Sequence, residues 1–451
     1  MKLLDISRVN IAALNVSIFL FPLAALAGNF IININVLLIC LFGIFAYKKK
    51  FLKFYLIKSN FFIFVFFLFI IIVSFFNYFL NVNYDGFLKS LLYLRYLILF
   101  LVLTFMIENK DLNIKLLLIS CALIMSFIGV DIIIQTLSGK NIFGLESLGR
   151  HNSSIFGEEL IAGGYMQKFS LLALICIPFV FNKLDSKKNI LFFILILIFF
   201  SGILFSGNRM PLILFTISMI LMMTFLDKLR VKIFISLIFC TLIFIFTFNN
   251  NLEFKKHYSN YYYHSLNLFE NFLKYSKEKY PELENKKDQY FVKEYAKGKD
   301  REKLREKYTF APIGSGHIPI YLTSYDILTD NLFFGGGLKS FRLNCKSKLH
   351  LPNRVCSSHP HNYYLELLND TGLIGTMILL LGLFFLVKNK LYNLKNFNER
   401  DKLVAICFLI ILFAEFFPLK SSGSFFSTSS ASFIFFILGL INGIRGKTKR
   451  N

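Results

Sequence analysis

Apolar runs dominate this chain, and its polar residues gather in the gaps between them. Windows of about 18 or more apolar residues recur along the whole length, the mark of helices that cross a membrane. The pattern predicts spans at roughly 9–28, 30–47, 61–80, 88–107, 114–137, 160–181, 189–206, 209–226, 231–248, 363–387, 402–417 and 423–443. Backbone amides must be satisfied internally in hydrocarbon, so these segments are helices. The fold class read from the pattern is an all-α polytopic membrane protein with about twelve transmembrane helices and one large, partly helical loop. That loop, 249–362, divides the chain into helices 1–9 (1–248), the loop itself, and helices 10–12 with a basic tail (363–451).

Charge orients the spans. Lys2 and Arg8 precede the first. Alternate connections then carry Lys48, Lys49, Lys50, Lys53 and Lys58; Lys183, Lys187 and Lys188; Lys228, Arg230 and Lys232; and Lys388, Lys390, Lys395, Arg400 and Lys402. Arg445, Lys447, Lys449 and Arg450 follow the last span, and the intervening short loops are nearly free of Lys and Arg. The positive-inside rule puts both termini in the cytoplasm and the long loop outside. Ala24 to Gly28 after a basic start has the look of a signal-peptide cleavage site, but the second span follows almost at once and the parity favours an uncleaved first helix. The net charge of +23 falls mainly in loops, so topology and anionic membrane lipids account for it and no nucleic acid is expected as a partner. Trp is absent, which leaves interfacial anchoring to Tyr, Lys and Arg. The excess of Phe fits AT-rich coding and is not read as function.

Within the loop, Glu253 to Tyr308 is rich in Lys, Glu and Tyr. Lys274 to Tyr280 and Lys299 to Lys307 read as solvated or membrane-surface helices. Beyond them, Gly314-Ser-Gly-His317 precedes a helix-like run, Ile318 to Leu328, and Asn331-Leu-Phe-Phe-Gly335-Gly-Gly337 makes a turn. Three glycines permit positive φ and close backbone approach, which suits an anion and suits a plain turn equally. The spacing to Lys339 is not that of a Walker motif. Cys345 and Cys356 fall in this polar stretch, and an oxidising compartment would make them a disulfide. A zinc site with His350, His359 and His361 is the alternative, though those ligands are poorly clustered for it. The remaining five cysteines lie in apolar runs as small core residues.

Chemistry concentrates where the loop meets the tenth span, in Ser357-Ser-His359-Pro-His361-Asn-Tyr-Tyr-Leu365. Titratable groups at the mouth of an apolar helix are rare and usually functional. Arg95, inside a span beside Tyr93 and Tyr96, reads either as a structural pair or as a substrate contact, and Glu415 near Lys420 reads as a paired buried acid. No carboxylate pair has glycosidase spacing, and no Asp-x-Asp run offers a dedicated Mg²⁺ site.

Asp330-Asn-Leu-Phe-Phe-Gly335-Gly-Gly-Leu-Lys-Ser-Phe341-Arg, with His359-Pro-His361-Asn-Tyr-Tyr-Leu365 and Thr371-Gly-Leu-Ile-Gly375, resembles the O-antigen ligase/polymerase family. Ser206-Gly-Asn-Arg209 resembles that family's Ser-Gly-x-Arg turn, and Gly149-Arg150 to Gly163 resembles an earlier periplasmic loop. The resemblance covers nearly the whole chain. One position departs: many members carry an arginine where this chain has His317.

The resemblance implies a bacterial inner-membrane enzyme with its site facing the periplasm. It would move a glycan from an undecaprenyl-diphosphate carrier to an acceptor hydroxyl, by a single inverting displacement without a metal or other cofactor. Diphosphate departure asks for fixed cations, and the guanidinium fork suits phosphate. Arg209 is the first choice and Arg150 the second, with His317, Lys339 and Arg342 as further diphosphate contacts. A neutral histidine suits the acceptor hydroxyl, so His361 is expected as the base and His359 as its helper. The acceptor expected is the lipid A core, which makes the protein an O-antigen ligase. An O-antigen polymerase and a protein O-oligosaccharyltransferase are alternatives within the same chemistry. A lipid-linked sugar transporter is the alternative of another class, but the chain shows no obvious internal repeat.

Overall fold

The computed structural model describes residues 6–81, 83–148, 151–181, 185–260, 262, 317–351 and 354–445. Arg150 and the two charged segments at 274–280 and 299–307 lie outside the described residues.

The helices follow the hydrophobic pattern. They are α1 (Ile6–Leu26), α2 (Asn29–Tyr47), α3 (Lys58–Asn81), α4 (Tyr84–Glu108), α5 (Ile114–Ser138), α6 (Ala162–Val180), α7 (Ser186–Phe205), α8 (Arg209–Phe225) and α9 (Arg230–Asn250). Residues 252–260 add a short helix after α9. There follow α10 (Ile318–Asp330), α11 (Phe341–Asn344), α12 (Tyr363–Asn393), α13 (Glu399–Glu415) and α14 (Thr428–Gly443). Among the described residues there is no β-strand, and nine helices are long and apolar enough to cross a membrane. These are α1 to α7, α9 and α12. Three of the twelve expected spans fall short for stated reasons: α8 has 17 residues, α14 has 16, and α13 opens on Glu399, Arg400, Asp401 and Lys402. The chain is a multi-pass, all-α membrane protein.

The core centres on α4 and α14, which pack closely because α14 presents glycines to its neighbour. A Cβ on Gly439 would sit 2.7 Å from the Phe100 carbonyl oxygen, and one on Gly443 would sit 2.6 Å from that of Thr104. Small residues allow such backbone approach where apolar burial alone does not hold helices together in lipid. Phe21 of α1 stacks on Phe436 of α14 with ring centroids 3.8 Å apart. Arg95 is a structural pair: its guanidinium donates to Asn33 Oδ1 (3.1 Å) and the Tyr96 hydroxyl (2.8 Å) and lies over the Tyr96 ring.

One helix is broken. Inside α12, Gly372 takes φ 61° and ψ −170°, and the 332–337 loop enters the gap. Leu373 N donates to Leu332 O (2.9 Å) and Ile374 N to Phe333 O (3.1 Å), while Gly336 N and Gly337 N donate to Asn369 O (2.8 Å) and Asp370 O (3.0 Å). The helix thus trades internal bonds for bonds to the loop, which satisfies its freed amides in a nonpolar setting. Glycine is required on both sides: a Cβ on Gly335 would come within 2.5 Å of Gly372 N, and one on Gly372 within 2.3 Å of Phe333 O. The Gly335-Gly336-Gly337 run therefore serves close packing against α12.

The bundle has two unlike ends. One gathers the starts of α4, α8 and α12 with the end of α13, and it carries the histidines. The opposite end closes on Lys390, whose ammonium donates to Asn442 O (2.7 Å) and Ile444 O (2.6 Å), and on an Arg445–Glu108 pair.

Candidate functional site

His361 precedes α12 in a left-handed conformation, φ 57°. A non-glycine residue is rarely held there without surrounding structure that fixes it. Two neighbours fix it. Its carbonyl accepts from Ser422 N (2.9 Å), and Asn362 caps α12 by accepting from Tyr364 N (3.0 Å) and Leu365 N (3.3 Å) while donating to Pro418 O (2.8 Å). The 416–424 loop after α13 is thus stitched to the histidine segment.

Three imidazoles meet there. The His359 and His361 ring centroids are 4.2 Å apart, and those of His317 and His361 are 5.1 Å apart. Ser421 Oγ lies 3.1 Å from His317 Nε2, Ser358 Oγ 2.9 Å from His359 Nδ1, and Ser357 Oγ 3.4 Å from His361 Nε2. Burial lowers the pKa of all three. That of His361 is pushed down to about 4, by burial first and then by repulsion from His359 and His317. All three are therefore neutral near pH 7, able to accept a proton or to donate one hydrogen bond each.

Behind the cluster lies a buried ion group. Glu415 is 2% exposed and meets Lys420 Nζ at 2.7 Å and Lys168 Nζ at 3.5 Å, and it accepts from the Tyr363 hydroxyl (2.7 Å). Two lysines against one carboxylate leave this pocket of the bundle net positive. Tyr364 adds a hydroxyl bond to Phe416 O (2.6 Å). On the first turns of α12, Glu366 accepts from Ser424 Oγ and Phe425 N, both at 2.5 Å. Asp370 accepts from Lys339 N (2.8 Å), Ser340 N (3.1 Å) and Ser340 Oγ (2.8 Å). Asp370 thus occupies backbone donors just after the glycine turn that an anion would otherwise use.

The Cys345–Cys356 disulfide is formed, with Cα atoms 5.2 Å apart. It closes a small apolar cluster with Ile320, Ile327 and Phe341, against which Val355 packs. Thr323 Oγ1 donates to Val355 O (3.1 Å), and Arg354 pairs with Asp326. α10 and the strap leading to His359 are held together as one unit, which is what brings His317 to His361.

The other expected residues sit apart from the imidazoles in part. Arg342 pairs with Asp85 at the start of α4 (3.1 Å). Lys339 is half-buried, and burial with repulsion from Lys89 and Arg342 lowers its pKa. Arg209 is the first residue of α8, in the turn Ser206–Arg209. That turn is held by His257, whose Nε2 lies 3.1 Å from Gly207 O, and by His151, whose Nδ1 lies 3.2 Å from Ser206 O. Helix α6 links the turn to the histidine side: Gly163 N donates to Asn208 Oδ1 (3.0 Å), and Lys168 on the next turns reaches Glu415.

Sequence reading missed Lys168, Ser421, Ser422, Glu366, Asp370 and the two histidines that brace the Arg209 turn. Glu366 and Asp370 did carry a signal, as acids four apart on one face of an apolar helix. The serines carried none, because their role is set by contacts far off in sequence, Ser421 to His317 and Ser422 to His361.

No curated protein matches the chain. Residues 192–380 match the model of the O-antigen ligase family. The match takes in the Ser206–Arg209 turn, the glycine loop, His359, His361 and the break in α12, which carry the resemblance in sequence, and His317, the position that departs from it. Over residues 192–380 this chain is therefore similar to the O-antigen ligase family.

Proposed function

We propose that this protein transfers a glycan from undecaprenyl diphosphate to an acceptor hydroxyl, and that the reaction is O-antigen ligation to the lipid A core. In this reading twelve helices span the inner membrane, both termini are cytoplasmic, and the histidine end faces the periplasm. The observation that carries it is the neutral imidazole cluster beside the net-positive Lys168–Glu415–Lys420 group.

The acceptor oxygen attacks the anomeric carbon as the bond from that carbon to the carrier diphosphate breaks. The diphosphate leaves with the electron pair, and the acceptor proton passes to His361. Arg209 meets the charge that develops on the leaving diphosphate, and Arg150 is the second cation assigned to it; Lys339, Arg342 and His317 are the further contacts of the carrier. His317 serves there as a neutral hydrogen-bond donor, since burial keeps it uncharged. A buried imidazole is by itself a weak base. The arriving diphosphate raises its proton affinity, because an opposite charge favours the cationic form. His359 holds the second ring in place. The displacement inverts the anomeric centre and uses no metal.

Lipopolysaccharide gels paired with extraction of undecaprenyl-linked glycan, from cells with and without this gene, test the proposal. Loss of all capped lipopolysaccharide with accumulation of lipid-linked polymer is the expected result. A surviving core-plus-one-repeat band without the ladder would reassign the protein as a polymerase. No change in either would remove both and point to protein glycosylation or transport.

A further inference from the structure

Asp131 lies on α5, about two turns before that helix ends, and it is fully buried. A buried acid inside a span is expensive unless it is paired, and it asks for a purpose. Its bonds run to the loop that follows α5. The carboxylate accepts from Ile142 N (2.9 Å), from Asn141 Nδ2 (3.3 Å) and from the Ser154 hydroxyl. One turn further along α5, Gln135 is fully buried too. Its Oε1 accepts from Ser154 N (2.9 Å), and its Nε2 donates to Leu145 O (3.3 Å) and Glu146 O (3.2 Å). Between them, Asp131 and Gln135 hold Ser154 in a left-handed conformation, φ 52°, which a residue other than glycine keeps only where its surroundings fix it.

That loop delivers donors to the arginine turn. α7 ends at Phe205 and α8 begins at Arg209, so the carbonyls between them are those a helix end leaves without a partner of its own. Three in succession are taken from outside the hairpin. Asn152, just before Ser154, donates its amide to Phe205 O (2.8 Å). His151 Nδ1 lies 3.2 Å from Ser206 O, and His257 Nε2 lies 3.1 Å from Gly207 O. A carbonyl oxygen only accepts, so each ring carries a hydrogen on the nitrogen named. The backbone leading into Arg209 is gripped carbonyl by carbonyl, and two of the three grips come from the segment that Asp131 and Gln135 anchor.

We infer that Asp131 is a positioning residue for Arg209: it fixes the loop whose Asn152 and His151 hold the turn from which the arginine starts. The inference rests on the proposed function, which gives Arg209 the charge on the leaving diphosphate. Asp131 is too deeply buried to meet a substrate and acts through the turn alone. A side chain starts from the backbone of its own residue, so a turn that shifts carries the guanidinium with it while both helices stay folded. A misplacement of about 1 Å costs up to about 10²-fold in rate.

Asp131→Asn, Arg209→Ala and the double variant form the test. Asparagine keeps one acceptor oxygen but sets its own amide hydrogens against the donors of Asn141 and Ser154. Consumption of lipid-linked glycan is followed in membrane vesicles over a range of glycan levels. Asp131→Asn should lower the maximal rate about 10- to 100-fold and leave the half-saturating glycan level unchanged, because Arg209 serves charge that develops only as the bond breaks. Arg209→Ala should itself cost about 10²–10³-fold. In that background Asp131→Asn should cost no more than about twofold further, since the group it positions is gone. A purely structural role would reduce folded protein alike in both backgrounds, so losses that multiply overturn the inference. An Asp131→Asn protein of wild-type rate overturns it too, and if Arg209→Ala is impaired beside it the proposed transfer survives. A wild-type rate in Arg209→Ala removes the arginine from the reaction and the inference with it. A wild-type protein that consumes no glycan removes the transfer reading as a whole, and this inference falls with it. Should Asp131→Asn fail to accumulate, Ser154→Gly takes away the hydroxyl that meets Asp131, suits the left-handed backbone there, and gives the same readout.

Discussion

At the histidine end, Glu366, Asp370 and Glu415 are each no more than 3% exposed, and each is surrounded by donors. At the opposite end, Lys228 and Glu399 pair at 2.8 Å with 80% and 73% of their side chains in solvent, and Arg230 pairs with Asp227 in the same way. Lys390 is buried there, but two helix-ending carbonyls hold it, and it closes α14. Burying a carboxylate is expensive unless partners surround it, whereas exposed pairs form and break at little cost. The contrast teaches where the chain has invested order. The histidine end is pre-organised around charge, and the opposite end is arranged to be wet and basic.

The largest effect expected from breaking this contrast is at His361. His361→Ala should reduce glycan transfer by about 10²–10⁴-fold, the usual worth of a general base, with little change in the thermal unfolding midpoint. Consumption of lipid-linked glycan in vesicles measures the first and detergent-phase melting the second. Activity within about threefold of wild type would mean that the imidazole cluster is scaffolding.

Next comes the buried ion group. Glu415→Ala strands Lys168 and Lys420 without a counter-ion and leaves the Tyr363 hydroxyl unpaired. Removing one partner of a buried pair destabilises by about 3–5 kcal/mol. The unfolding midpoint should fall clearly, and transfer should fall with it, because Lys420 leads into the serines that hold His317 and His361. A neutral outcome would mean that water reaches Glu415 and that the two ends do not differ in kind.

The disulfide is a smaller lever on the same end. Closing a short loop stabilises by about 3 kcal/mol in the chain-entropy account. Cys345→Ser with Cys356→Ser should loosen the strap that carries His359 and separate His317 from His361. The expected sign is a several-fold loss of transfer with a modest loss of stability, read by the same two assays.

Acid probes the imidazoles themselves. Each has a folded pKa below its ordinary value, so between the ordinary histidine range and about pH 4 the unfolded chain binds protons that the folded one does not. Stability is therefore fully present above pH 6.5 or so and is lost as pH falls toward about 4. In the unliganded protein the melting midpoint should drop across that window, and His361→Ala should flatten the drop. A wild-type profile that stays flat down to pH 4 would mean that the imidazoles are solvated.

How much of this was readable beforehand follows from where the information sits. The helices were legible because apolar length is written in consecutive residues, and they begin and end within a few residues of the hydrophobic runs. Three were harder to count as spans because α8 and α14 are short and α13 begins with four charged residues. The disulfide and His359 with His361 were legible because the residue types are rare and close in sequence. The glycine run was legible as a place of close approach but not as to what approaches. Its partner is the break at Gly372, and nothing in Thr371-Gly372 announces a backbone gap. Lys168 was illegible for the same reason. Its partner Glu415 lies 247 positions away, on a helix whose neighbours the sequence does not state.

The smallest effect belongs to the opposite end, and it decides whether the comparison holds. Lys228→Ala removes the cation that Glu399 meets, yet both side chains stay hydrated and Lys402 remains near Glu399. An exposed pair gains little Coulomb energy and loses side-chain entropy on forming, so the melting midpoint should not move beyond measurement error. Transfer should be unchanged as well, because nothing in the histidine cluster touches α8 or α13 at that end. The informative comparison is with Glu415→Ala in one preparation. A large loss from one and none from the other would show that charge at the histidine end is structural and catalytic together. A Lys228→Ala protein that melted as early as Glu415→Ala would mean that the exposed pairs also bear on the fold.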